Sequence, residues 1–501
     1  MKGLWLLALL FLAGAADAAL EAPRTDSLES KLLGEKRDIE VYVPQEASSD
    51  PKARFETLYV LDGDWNAKLV AGTVDFMRQV GFLPPLIVVS IKHHIDASGR
   101  NTRDRDLTPT RIESEPDTGG APQFLQFLTQ ELVPYVEAHY PCNGVKSIHG
   151  HSYGGLFLFY VLMNDPGAFD GYLILDPSLW WDHHGYDALI KSRLPALPVR
   201  GKAIFMAGRA GAAAQSMGLS SVEPMFRELA PPKLHWSSLQ YHQETHDSLK
   251  LKGTYDGLKF LFGGYTQEPM DFAPSGGTII KGKPLPVYMH NLSDRFDLRY
   301  TTDGSTPNED SAKFTDHIVI DDAAARIRLL SVRGDFDREL PLNFKNGAAL
   351  QPAGASLKAD SNWQFRAYAA SAWPKLARAH PFDSQSAPDI RHLKPLDRDD
   401  FAASAERRLA VATDDYYLFY LHVSADARVV VAGRPLAIVG EKNPHEQSLV
   451  MPLKRGSYPV RFEYLHPDKS AHVFFKVFRL RADGSEWWKE EPVLDLTADG
   501  F

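Results

Sequence analysis

Short apolar runs alternate with longer stretches of helical spacing through the first half of the chain. Ile39-Glu40-Val41-Tyr42-Val43 alternates apolar and polar positions, as a half-buried strand does. Thr57-Leu58-Tyr59-Val60-Leu61 and Leu86-Ile87-Val88-Val89-Ser90-Ile91 are compact runs suited to strands covered on both faces. Residues 124–139 have a helical period that places Phe124, Phe127, Leu128, Leu132 and Val133 on one face. Residues 145–149, 171–175, 203–207 and 235–241 complete the set of predicted strands. Strands separated by helical stretches over residues 23–263 predict an α/β domain with a mostly parallel sheet between helical layers.

After Phe262 the pattern changes. Pro, Gly and Ser cluster over 269–284, and short strands with tight turns follow. Leu298-Arg299-Tyr300-Thr301-Thr302 runs into Asp303-Gly304, a hairpin-type turn signal. Residues 318–320 and 327–332 continue a small all-β, sandwich-like domain over 268–345. Beyond an Ala/Gly-containing stretch at 346–355, residues 356–497 are again β-rich, with alternating runs at 416–423, 427–431, 448–453, 460–464 and 472–478. They predict a second all-β domain.

The first residues read as a targeting segment. Lys2 supplies a positive n-region, residues 4–13 an apolar h-region, and Ala16-Asp17-Ala18 a small-x-small cleavage site. The run is shorter than the ~20 apolar residues of a membrane span. Residues 1–18 are therefore expected to be a signal peptide, and the mature chain a periplasmic or secreted protein without an integral membrane segment.

Composition narrows the partners. The 501 residues carry 55 Lys plus Arg against 64 Asp plus Glu, a net charge of −9, with no basic stripe for a nucleic acid. A single cysteine, Cys142, excludes an intrachain disulfide and a Cys-rich zinc site. His183-His184 lacks the companion ligand spacing of a metal site. Neither cofactor nor metal is expected.

The chemistry lies in Gly150-His151-Ser152-Tyr153-Gly154, a G-x-S-x-G motif between a predicted strand and an apolar helical run at 156–162. Small glycines permit the strained turn that lifts a serine hydroxyl clear of the sheet, with the Tyr153 N–H aimed where an oxyanion forms. Serine needs a base, and in this chemistry the histidine follows in chain order after the last strand. His246, in Glu244-Thr245-His246, is the best placed. His93, His94, His149, His151 and His242 are read as surface or structural. Asp176, ending a strand, is the favoured acid; Glu244 is the alternative, and a Ser–His dyad a third arrangement. Leu61-Asp62-Gly63-Asp64-Trp65 follows an early strand, so the N–H of Asp64 or Trp65 is the expected second oxyanion donor. Trp180 and Trp181 are expected to line the substrate pocket or to pack in the core.

Residues 23–263 resemble the putative esterase family that includes esterase D and enterochelin esterase, an α/β-hydrolase fold. The pieces that carry the resemblance are Val60-Leu61-Asp62-Gly63, Arg105-Asp106-Leu107-Thr108-Pro109, the helix at 124–134, the motif at 150–155, Asp176-Pro177-Ser178-Leu179-Trp180-Trp181 and Glu244-Thr245-His246. The resemblance implies a serine ester hydrolase using Ser152 and His246. It also implies two departures. Many relatives carry Ser where this chain has Asp176, and an acid in the loop at Gly208 where this chain has none. Tyr300-Thr301-Thr302-Asp303-Gly304-Ser305-Thr306-Pro307 resembles the small β module that ends chitobiase and related hexosaminidases. Residues 356–497 resemble the protective-antigen-type β-sandwich, with Ala425-Asp426 where glycan-binding members hold calcium by an Asp pair.

The expected activity is hydrolysis of a carboxylic ester through an acyl-enzyme. The accessory modules associate that ester with a polysaccharide or glycoside. A siderophore ester is the alternative substrate. A non-catalytic glycan-binding or envelope protein on a hydrolase scaffold is the rival class.

Overall fold

The computed structural model describes residues 22–199, 201–265, 271–290, 298–331, 337–355, 357, 360–369, 379–394, 401–423, 426–439, 446–465, 472–481 and 486–499. The expected signal peptide at 1–18 lies outside them, as does Ala425. The chain forms two compact units, the first mainly residues up to 269 and the second mainly the remainder.

The first unit is an eight-stranded sheet in the order β1-β2-β4-β3-β5-β6-β7-β8. Its strands are β1 Arg24–Ser30, β2 Glu35–Tyr42, β3 Phe55–Val60, β4 Leu86–Ile91, β5 Cys142–His151, β6 Gly171–Leu175, β7 Ala203–Arg209 and β8 His235–Tyr241. β1 and β2 pair antiparallel, as do β2 and β4; every later neighbour pair is parallel. The central strands are buried along their length because helices cover both faces, which is why their sequence is nearly continuous in apolar residues. On one face lie α1 Gly63–Gln79 and α6 Leu249–Leu261, whose Val70, Val74 and Leu258 pack with Val60 and Val88. On the other lie α2 Ala121–Phe127, α3 Val133–His139, α4 Tyr153–Asn164 and α5 Leu219–Leu229, sharing a core with Ile148 and Ile174.

The helix predicted over 124–139 is interrupted by a π turn at Leu128–Leu132, immediately ahead of Pro134. Proline has no N–H to give the preceding turn and its ring crowds that turn's carbonyl, so the ladder widens there. Phe124, Phe127, Leu128, Leu132 and Val133 are all buried, as their spacing predicts.

The second unit departs from the division at 345/356. Gly276–Ile279 and Asn343–Asn346 run parallel to each other, and Gly276–Ile279 pairs with Glu446–Leu453, so strands from both predicted β domains share one sheet. Among the described residues that sheet has six strands, continuing through Asp415–Val423, His472–Leu480 and Leu494–Asp499. A second six-stranded sheet runs Pro381–Ala387, Trp363–Tyr368, Ala402–Val411, Gly456–Leu465, Ala427–Val431, Arg434–Val439. Phe419, Phe475 and Val477 of the first meet Trp363, Leu409 and Phe462 of the second in one core. At Asp303-Gly304 the chain bends, with Gly304 at φ +80° and Asp303 accepting from the Ser305 N–H at 2.9 Å. The antiparallel partner of Leu298–Thr301 is Ala312–Lys313, however, so the connection is longer than the expected hairpin-type turn.

Candidate active site

β5 delivers Ser152 to the carboxyl edge of the sheet, where the chain turns sharply into α4. Ser152 takes φ 60°, ψ −118°, a conformation that non-glycine residues rarely adopt. The neighbouring glycines explain how the turn closes. A Cβ on Gly150 would stand 2.5 Å from the Gly154 carbonyl oxygen, and one on Gly155 2.9 Å from Pro177 Cα. The backbone holds the turn from both sides: the Ser152 N–H donates to Leu175 O at 3.0 Å, and the Ser178 N–H to Ser152 O at 3.1 Å. Ser152 Oγ lies 3.3 Å from Ser178 Oγ; among the described residues it makes no hydrogen bond to His246.

His246 sits in the loop between β8 and α6. Its Nδ1 is 2.6 Å from Asp176 Oδ2, so Nδ1 carries the proton and Nε2 is left as the basic nitrogen. Asp176 ends β6, is fully buried and has φ 39°. Arg209 Nε donates to the same carboxylate at 2.7 Å. Burial alone would raise the Asp176 pKa; the hydrogen bonds from His246 and Arg209 outweigh it and hold the carboxyl below its usual range. Glu244 does not reach His246. It accepts instead from the Ser248 hydroxyl at 2.5 Å and so ties the loop to itself.

His151 lies against this site, where a surface or structural role was expected. Its Nε2–H donates to the His246 carbonyl at 2.7 Å, and the two rings lie 4.3 Å apart. Burial, then the neighbouring His246, pushes its pKa down to about 4. His149, one turn of the strand deeper, is buried against the Thr254 hydroxyl at 2.9 Å.

The loop opposite the elbow is built around Asp62, buried at φ 53°. Arg103 grips its carboxylate with Nε at 2.6 Å and Nη2 at 2.9 Å, and His93 Nε2 lies 2.7 Å away. The His93 N–H also donates to Asp64 at 2.8 Å. Desolvation would raise the Asp62 pKa, but His93 and Arg103 hold it low. Arg103 was not singled out from the sequence, and His93 was read there as surface or structural, because each acts through a partner some thirty to forty positions away. Gly63 is required here: a Cβ would lie 2.2 Å from Ser90 Oγ.

Two expectations need correction. The Trp65 N–H closes the first turn of α1 on the Asp62 carbonyl at 3.0 Å, so it is not an oxyanion donor. The Asp64 N–H, a position earlier, is one that the helix itself leaves without an acceptor. Trp181 is fully buried with its Nε1–H on Thr110 Oγ1 at 3.0 Å, so it packs the core and does not line a pocket. Trp180 is 39% exposed, and Trp65 58%. Between Trp65 and Tyr153, the Arg103 guanidinium lies 5.2 and 5.1 Å from the two ring centroids. Among the described residues no group of three His, Cys, Asp or Glu has the geometry to hold a metal ion.

Residues 30–210 match the family model described as "Putative esterase", and residues 290–339 match one described as "Fn3 associated". Ferri-bacillibactin esterase BesA of Bacillus subtilis (strain 168) is 28% identical over 187 residues, 34% of this chain and 63% of the relative. The siderophore enterobactin esterase of Emericella nidulans is 33% identical over 144 residues, 25% of this chain and 47% of the relative. The chain thus spans less than two thirds of the length of these curated relatives. Among solved structures, an IroE-like serine hydrolase from Shewanella oneidensis is 30% identical, with 48% of this chain and 80% of that chain covered at a TM-score of 0.44. With the family match running from β1 through β7 and across the strand–turn–helix at Ser152, the first unit of this chain belongs to the esterase family of α/β-hydrolases.

Proposed function

We propose that this chain is a serine esterase that hydrolyses siderophore-type esters. The observation that carries the catalytic reading is the buried Asp176 carboxylate 2.6 Å from His246 Nδ1, on the same edge as the strained Ser152 turn. Ser152 Oγ attacks the ester carbonyl carbon while His246 Nε2 accepts its proton. Asp176 holds the imidazole in the tautomer this requires and stabilises the imidazolium that results. The N–H groups of Tyr153 and Asp64 receive the oxyanion. His246 returns the proton to the leaving alcohol, and water then releases the acid from the Ser152 ester. The Ser152 hydroxyl meets Ser178 in the unliganded chain, and the bond to His246 forms with substrate, as in apo sites whose catalytic bonds tighten only in the complex.

The relatives' printed activities favour siderophore esters over esters on polysaccharides as the substrate class. The exposed rings of Trp65 and Trp180, with the half-buried Tyr153 6.1 Å from Trp180, give an aromatic acyl group a stacking surface. The signal-like segment at the start adds an exported location to the reading; N-terminal sequencing of the protein recovered from outside the cytoplasm checks it.

Turnover of p-nitrophenyl butyrate, of iron-free and ferric enterobactin and of acetylated xylan by wild type and Ser152→Ala tests the reading. Wild type is expected to cleave the aryl ester and a siderophore, with a loss of about 10³-fold or more in Ser152→Ala. Equal rates in the two proteins overturn the esterase. Faster cleavage of the xylan ester overturns only the substrate class.

A further inference from the structure

The second unit carries a cleft of about 500 Å³ on the sheet that contains Asp415–Val423 and His472–Leu480. That volume is within the roughly 300–1,000 Å³ of small-molecule sites. Its walls are aromatic. Trp487 is buried and meets Trp488 edge-on at 5.7 Å, Phe478 at 4.8 Å and Tyr420 at 5.8 Å. Tyr420 in turn meets Phe474 edge-on at 5.5 Å. The chain of edge-to-face and tilted ring contacts fixes the rings, and Trp488, 40% exposed, presents a held indole to solvent.

The rim carries both signs. Glu446 accepts from the Tyr420 hydroxyl, and Glu490 lies 3.1 Å from Arg481. Lys476 is 3.5 Å from Asp495, with its ammonium 4.7 Å over the Phe474 ring, and Lys489 pairs with Glu486. The cations are thus already neutralised, while Glu446 and Glu491 have no ion pair among the described residues. An anionic ligand would meet excess carboxylate, and among the described residues no group of three His, Cys, Asp or Glu has the geometry to hold a metal cation. A neutral polyhydroxylated ring suits the cleft: its C–H face stacks on an indole, and its hydroxyls donate to Glu446 and Glu490 and accept from lysine.

We propose that this cleft is a binding site for a neutral pyranose unit of a glycan, with Trp488 as its platform and Glu446 as its principal hydroxyl acceptor. The site is separate from Ser152 and does not depend on the esterase reading. It anchors the chain to a saccharide surface while the first unit acts on a soluble substrate.

Calorimetric titration of the full chain with cellotetraose, xylotetraose, chitotetraose and maltotetraose tests the site. At least one is expected to bind with a Kd of about 1 mM or tighter, equally in wild type and Ser152→Ala. Trp488→Ala and Glu446→Gln are each expected to weaken it by about tenfold or more, and Trp488→Phe to keep most of it. Should Trp488→Ala lose its folded circular dichroism, Glu446→Gln and Trp488→Phe decide the matter. The site is overturned if none of the four saturates or if Trp488→Ala binds like wild type. It is equally overturned if 2,3-dihydroxybenzoate or tetramethylammonium takes the cleft more tightly than any saccharide.

Discussion

Asp176 fills the space that a side chain on Gly208 would enter: a Cβ built on Gly208 would stand 3.3 Å from Asp176 Oδ1. The two residues end adjacent parallel strands, β6 and β7, at the same edge of the sheet. The family resemblance places an acid in the Gly208 loop of many relatives. Here the carboxylate arrives one strand earlier and reaches the same histidine. The loop keeps a second function, because the Arg209 side chain and N–H both bind that carboxylate.

This relationship makes the acid movable. Asp176→Asn keeps the shape but removes the charge that fixes the His246 tautomer, and is expected to lower kcat/KM by about 10²- to 10⁴-fold. Asp176→Gly should do the same while relieving the backbone at φ 39°. Adding Gly208→Asp to Asp176→Gly should recover at least about tenfold. The nearest obstacle to the new side chain is the tip of the buried Leu219, 2.6 Å from the built Cβ, which has to turn aside. Kinetics of the four proteins on p-nitrophenyl butyrate check it; a double variant no faster than Asp176→Gly disproves the shared position.

Beneath the site, His149 and His151 are held neutral, with pKa values pushed down to about 3 and about 4, burial being the main cause for both. In the unfolded chain each titrates near about 6.5. The unfolded state therefore binds more protons between about pH 4 and 6.5, and folding stability rises with pH through that window and is complete above it. His151→Gln keeps a donor for the His246 carbonyl but removes one titration. Its Tm is expected to fall less than that of wild type between pH 7.5 and 5, a difference of about 1–2 kcal/mol at pH 5. Parallel slopes in thermal melts would refute this.

Much of the fold was legible because burial on both faces writes continuous apolar runs, and β6 and β8 coincide with the predicted strands. The Ser152 turn was legible because its glycines have no substitute, and chain order singled out His246, which the fold brings within 2.6 Å of Asp176. What was not legible depended on distance. Nothing local to Arg103 announces that it closes on Asp62, and His151 looks like any residue of the elbow until His246 comes to lie on it. Trp180 and Trp181 are identical neighbours whose fates separate only when Thr110 offers Trp181 a buried acceptor. The strand Gly276–Ile279 was hidden by its two glycines. They read as linker, yet Gly277, at φ +119°, lets the backbone approach Val450 so closely that a Cβ would lie 2.1 Å from its carbonyl oxygen.

The Asp62–Arg103 pair links stability to the oxyanion loop. Both partners are largely buried, and Asp62 also packs against the first turn of α4, its Oδ2 3.4 Å from where a Gly154 Cβ would be. Arg103→Met removes one partner and leaves a buried carboxylate with His93 alone, so it should cost about 3–5 kcal/mol of stability. Asp62→Asn with Arg103→Met removes both charges and should restore most of that loss. Activity should not return with stability, because the loop that positions the Asp64 N–H has lost its clamp, and displacements near 1 Å at such a site cost about 10²-fold in rate. Urea denaturation and kcat measured on the same preparations separate the two effects. A double variant that is stable and fully active would show that Arg103 serves the fold alone.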